Sequence, residues 1–120
     1  MKRGEIWTVS GGGNYASKAR PVVVVQDDAF DATMSITVCA FTTDQTEAPL
    51  FRLEVLPSER NGLRQPSRLM VDKITTVAKA KLGTRVGWLE DEHIRRLDRA
   101  MLVFLGLAGS SRVGRPSTPR

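Results

Sequence analysis

The chain has 120 residues, 41% of them hydrophobic, which suits one compact domain with one core and leaves no apolar run long enough to cross a bilayer. Its single cysteine, Cys39, rules out an internal disulfide and any multi-cysteine metal site. Of the formal charge of +5, three units belong to Arg112, Arg115 and Arg120 in an acid-free tail, so the body is only mildly basic and permits a nucleic-acid partner without demanding one.

In chain order, residues 3–9, RGEIWTV, read as a first strand. Lys2-Arg3 runs straight into this pattern and not into an apolar leader, so the expectation is a soluble, cytoplasmic protein. Residues 10–18, SGGGNYASK, hold three consecutive glycines that are costly to order, which predicts a mobile loop carrying Tyr15 and Lys18. Next comes Ala19-Arg20-Pro21-Val22-Val23-Val24-Val25-Gln26. Its β-branched run predicts a strand, and apolar residues at every position predict cover on both faces. Pro21 donates no hydrogen bond and suits the strand's first residue, which sets Arg20 at its mouth.

Asp27 to Met34 is a polar connection with room for a helical turn. Residues 35–43 predict a third strand, with Ile36, Val38 and Ala40 on one face and Thr37, Cys39 and Phe41 on the other. It closes in Thr42-Thr43. Residues 50–56 alternate cleanly and predict a fourth strand, followed by a turn-rich break at residues 57–62. Residues 67–73 predict a fifth, with Leu69 and Val71 on one face and Arg68, Met70 and Asp72 on the other. A short sixth is expected around residues 84–86. Leu89 to Leu107 switches to helical spacing, with Ile94, Leu97, Met101, Phe104 and Leu105 on one stripe and acids at its start. His93 in the first turn reads as a surface residue. Residues 110–120 predict a basic, disordered tail beyond a single domain of residues 1–109. These elements predict a small, mostly antiparallel β-barrel or curled sheet packed by a C-terminal helix.

Several site types are excluded. Gly11-Gly12-Gly13 lacks the residues of a phosphate-binding Walker loop, and one histidine with one cysteine is too few for zinc. A histidine pair for ribonuclease chemistry is impossible within one chain, since His93 is the sole imidazole. Polar groups at strand ends remain: Arg20, Thr42, Thr43, Asp72 and Arg68. An arginine, a hydroxyl and a carboxylate suffice to cleave RNA without metal, because the attacking 2′-hydroxyl is already beside its phosphate. The same groups also fit turn hydrogen bonds at Thr42 and Thr43 and a strand-end ion pair of Asp72 with Lys73 or Arg20.

Four segments in order resemble the MazF/PemK (Kid) family of toxin endoribonucleases: Arg3-Gly4-Glu5-Ile6-Trp7, Lys18-Ala19-Arg20-Pro21-Val22-Val23-Val24, Thr42-Thr43 after an apolar strand, and Ser67 to Thr76. The resemblance spans the chain up to Leu107. It implies an SH3-like barrel that forms homodimers, cleaves single-stranded RNA without cofactor or metal, leaves 2′,3′-cyclic phosphate and 5′-hydroxyl ends, and is silenced by a cognate antitoxin. Carried over by position, it implies catalytic roles for Arg20, Thr42 and Asp72, with Lys18, Thr43, Arg68 and Lys73 as RNA contacts. Two positions depart from the family pattern. Met70 stands where some members have an arginine acting as general acid, and Lys73 stands where a glutamine is usual, so the acid and base assignments stay open. The alternatives are a gyrase-poisoning toxin of the CcdB type and a β-barrel RNA-binding module without chemistry. The former uses a helix ending in a Trp-Gly-Ile-like segment, whereas this helix ends in Phe104-Leu105-Gly106-Leu107.

Overall fold

Residues 1–10, 19–48 and 50–108 are described by a computed structural model. They form strands β1 (Glu5–Ser10), β2 (Ala19–Val24), β3 (Ser35–Thr42), β4 (Arg52–Val55), β5 (Ser67–Ala78) and β6 (Leu82–Trp88), then helix α1 (Asp91–Phe104). The strands make one sheet in the order β4-β5-β3-β2-β1-β6, with every neighbouring pair antiparallel. The sheet does not close, because β4 and β6 remain its two edges; of the two forms expected, barrel or curled sheet, it is the curled sheet. The glycine-rich segment with Lys18 and Tyr15, and the tail at residues 110–120, lie outside the described residues.

The valine run lies inside the sheet and is covered on both faces, as its lack of alternation predicts. Val23 and Val25 join Ile6, Cys39, Phe41, Leu69, Leu89 and Leu97 in the larger core cluster. Val22 and Val24 point the other way and pack with Ile36 and Val38. All four of these are at most 2% exposed on the face that α1 leaves bare, and Met1, Trp7, Val9, Val77 and Leu82 close over them. Apolar residues from β1, β2, β3, β5 and β6 therefore bury one another there, so the sheet curls on itself.

The largest departures from the sequence limits are in β5 and α1. β5 runs to Ala78, beyond the expected residue 73, because β3 pairs with it out to Ser35↔Ala78. Ile74, Thr75, Thr76 and Val77 are β-branched and sustain the extension. α1 buries Leu97 and Ala100 and packs Ile94 and Met101, but Phe104 is 48% and Leu105 59% exposed. The buried stripe thus stops a turn short of the expected end, and Phe104 keeps an aromatic contact with Phe51 at 6.1 Å between ring centroids. The polar connection after β2 does contain a helical turn, Asp28–Phe30, capped by Asp27 accepting from the Ala29 amide at 2.8 Å.

One polar cluster fastens the β1–β6 edge. Glu5 is buried, accepts from Trp7 Nε1 at 2.8 Å and pairs with Arg85 Nη1 at 3.5 Å. The Arg85 guanidinium lies over the Trp88 ring.

Candidate active site

β2 and β3 run antiparallel with Val22 opposite Ala40. Carried two residues further, that register sets Arg20 beside Thr42. Thr42 in turn pairs with Arg68 on β5, and Arg68 with Glu54 on β4. Directly opposed residues share a face. One row across four strands therefore carries Arg20, Thr42, Arg68 and Glu54; the first three lie on the face that α1 does not cover, while Glu54, on edge strand β4, reaches a hollow beside α1. The alternation of β5 adds Met70 and Asp72 to it.

Arg20, Thr42 and Thr43 line one groove of about 250 Å³, together with Ala19, Gln65 and Ser67. Arg20 and Thr43 are exposed, while Thr42 is half-buried. Thr42 Oγ1 accepts a hydrogen bond from the Asp44 amide at 3.1 Å. That bond uses a lone pair and leaves the hydroxyl hydrogen available for an oxygen in the groove. The loop behind is tightly turned. Asp44 Oδ1 accepts from the Thr46 amide at 3.0 Å and from Thr46 Oγ1 at 2.8 Å, and these bonds hold its carboxyl below the usual carboxylate range. The turn-hydrogen-bond reading of Thr42 therefore holds alongside its place in the groove.

Arg68 is buried and faces inward to this loop. It donates through Nη1 to the Thr46 carbonyl at 3.0 Å and through Nη2 to Glu47 Oε2 at 3.2 Å and Gln45 Oε1 at 3.4 Å. Its guanidinium clamps the segment that leads away from Thr42 and Thr43.

Asp72 does not line the groove. Its ion-pair partner is neither Lys73 nor Arg20 but Arg52 on β4, which donates Nε to Oδ1 at 2.9 Å and Nη2 to Oδ2 at 3.1 Å. Cross-strand register explains this: Arg52 lies opposite Met70, one diagonal step from Asp72. The Arg52 hydrogen bond holds the Asp72 carboxyl below its ordinary value and raises the Arg52 guanidinium in turn. Lys73 is exposed and follows Asp72 where the β3–β5 register shifts, between the Cys39↔Ile74 and Phe41↔Leu69 pairs. Cys39, buried on the core side, has its thiol pushed up to about 12 by desolvation, with the Asp72 charge adding to it. It packs as the small hydrophobe its isolation in the sequence predicts. His93 lies off the groove, half-buried in a separate hollow with Glu54, Ser58 and Glu90, and is not the surface residue expected.

Ser67 and Arg52 are site neighbours that the sequence does not single out, and Gln65 lies in the 57–66 loop, one of the loops expected to read RNA bases. The turn-rich composition of residues 57–66 signals a loop there but not which strand ends it meets.

The arrangement of curled sheet and single packing helix recurs among solved toxin structures. An endoribonuclease in complex with its cognate antitoxin from a mycobacterial species superposes with a TM-score of 0.74 at 23% identity, covering 89% of this chain and 96% of that one. The Mycobacterium tuberculosis toxin MazF-mt6 superposes at 0.71 with 25% identity, covering 86% and 97%. The fold is therefore that of a MazF-type toxin domain. In sequence, the PemK-like, MazF-like toxin family of type II toxin-antitoxin systems matches residues 2–105, and the chain belongs to this family. A relative named "Probable endoribonuclease MazF" from Mycolicibacterium smegmatis is 51% identical over 109 residues, 91% of this chain and 100% of that protein.

Proposed function

We propose that the protein is an endoribonuclease toxin of the cytoplasm that cuts single-stranded RNA without a metal and is held silent by a cognate antitoxin. The observation that carries this reading is the convergence of Arg20 and Thr42 in one groove at the same end of β2 and β3, in a chain of the MazF-like family. In the proposed reaction the ribose 2′-hydroxyl attacks its adjacent phosphorus in line, its proton passes to a base, and the bond to the 5′-oxygen breaks as that oxygen takes up a proton. The products are a 2′,3′-cyclic phosphate and a 5′-hydroxyl.

Arg20 is given the charge that builds on the phosphorane oxygens, where a positioned cation acts most strongly. Thr42 donates its hydroxyl to the same phosphate. Asp72 is the remaining motif residue. A carboxylate doubly bonded to Arg52 is a poor proton acceptor, so the reading gives Asp72 the task of fixing Arg52 on this face. Thr43 in the groove and Lys18, next in sequence to Ala19, are proposed phosphate contacts. Lys73 serves phosphates further along the strand, and Arg68 acts through the loop it holds. The functional form is proposed to be a homodimer, and the half-exposed Val103, Phe104 and Leu105 give it apolar surface to bury.

Expression of the wild-type protein without antitoxin is expected to arrest growth and fragment cellular mRNA, with Arg20→Ala relieving both. Normal growth with soluble wild-type protein accumulating would overturn the reading.

A further inference from the structure

The Arg20–Thr42 groove does not end at Thr43. It opens into a larger cleft of about 480 Å³ that shares Ala19, Pro21, Thr43, Gln65 and Ser67 with it and extends past Arg64 to Leu63, Val86 and Thr8. This volume lies in the range of about 300–1,000 Å³ typical of small-molecule sites. A strand of RNA with a phosphate at Arg20 has this cleft as its next space. We infer that the cleft is a base-reading subsite for a purine flanking the scissile phosphate, with Arg64 and Gln65 as the readers. The inference rests on the endoribonuclease reading and adds to it a specificity site.

Three observations support it. The cleft has an apolar floor, since Leu63 and Val86 both belong to or pack on the main core cluster. A flat aromatic base gains by leaving water for such a floor. The wall is also rigid before anything binds. Asn61 is fully buried, its Oδ1 accepts from the Ser58 and Leu63 amides at 3.0 Å each, and its Nδ2 donates to the Leu56 carbonyl at 2.9 Å and to Glu90 Oε1 at 3.2 Å. Gly62 has φ of +70°, and a Cβ there would collide with the Val86 carbonyl. The segment carrying Arg64 and Gln65 is thus pressed against β6 and pre-organised.

The readers themselves are uncommitted. Arg64 and Gln65 are exposed, and neither side chain has a hydrogen-bond or ion-pair partner among the described residues. By contrast Arg60, in the same loop, pairs with Asp91 at 3.2 Å. A guanidinium fork fits the O6 and N7 acceptors of guanine, and a carboxamide fits N6 and N7 of adenine. Both patterns use N7, which pyrimidines lack, and unpaired RNA exposes that edge.

The test is cleavage of a randomised single-stranded RNA pool by wild type, Arg64→Ala, Arg64→Lys and Gln65→Ala, with all fragment ends sequenced. The wild-type protein is expected to show a purine excess at a position within about two nucleotides of the cut. Arg64→Ala and Arg64→Lys are expected to reduce that excess about fivefold or more, the discrimination one bidentate contact provides, with preferences elsewhere kept. Gln65→Ala is expected to change the same position. A pyrimidine preference on both sides of the cut, variants with the wild-type profile, or full preference retained by Arg64→Lys would overturn the subsite while leaving the nuclease intact. RNA left uncut by the wild-type protein would overturn the endoribonuclease reading itself, and the subsite with it.

Discussion

At the scale of single residues, some groups of the site are free and others are already spent on the fold. Thr42 has one lone pair bound by the Asp44 amide and its hydrogen still to give. Replacing it with the near-isosteric valine keeps the β-branched shape and removes the donor. Thr42→Val is expected to slow single-turnover RNA cleavage by about 10²–10³-fold, the loss seen when one transition-state donor is removed, with an unchanged melting temperature. A wild-type rate would contradict its role. Arg68 is spent on the loop after Thr43, so Arg68→Ala is expected to lower stability by about 1 kcal/mol in urea titration as the loop loses the charged donor that holds it. An unshifted urea midpoint would count against the clamp. Arg20 and Thr42 were legible in the sequence because each sits where a strand pattern begins or ends. The partner of Asp72 was not. Arg52 meets it through cross-strand register, which a one-dimensional pattern does not fix.

Between elements, close contacts and ion pairs set the geometry of the groove's walls. β6 passes so near the 57–66 loop that a Cβ on Gly87 would lie 2.7 Å from the Asn61 carbonyl and closer still to that of Arg60. Gly87→Ala is expected to destabilise by about 1–3 kcal/mol, as overpacking does, and a variant melting with wild type would show that the loop yields. β4 and β5 are tied by Arg52–Asp72. Because the folded carboxyl of Asp72 lies below its ordinary 3.8, the unfolded chain binds the proton more readily. The pair's contribution is therefore fully present above that value and is lost as pH falls below it. Asp72→Asn is expected to flatten the stability decline between about pH 5 and 3 that the wild type shows in urea titrations. Parallel declines in the two proteins would argue that other carboxylates dominate. The strand positions were readable from alternation, as were the two faces of β3. The length of β5 was not, since its last residues are extended by pairing with β3 and not by an alternation of their own.

Taken whole, the molecule has one face of the sheet sealed by α1 and the other curled over its own valines, with polar groups collected at the end where β2 begins and β3 finishes. The class of fold was legible in the order of strands and helix. Openness of the sheet was not, because closure depends on whether the edge strands β4 and β6 meet. The proposed homodimer is expected to sediment at twice the 13.2 kDa chain mass, and a monomer at all concentrations would remove that part of the account. The most direct test of the central claim is incubation of purified protein with a long single-stranded RNA in EDTA beside Arg20→Ala, with analysis of product ends. The account predicts discrete fragments with cyclic-phosphate and 5′-hydroxyl ends from the wild type and intact RNA from the variant. Intact RNA with the wild type, or equal cutting by Arg20→Ala, would contradict it.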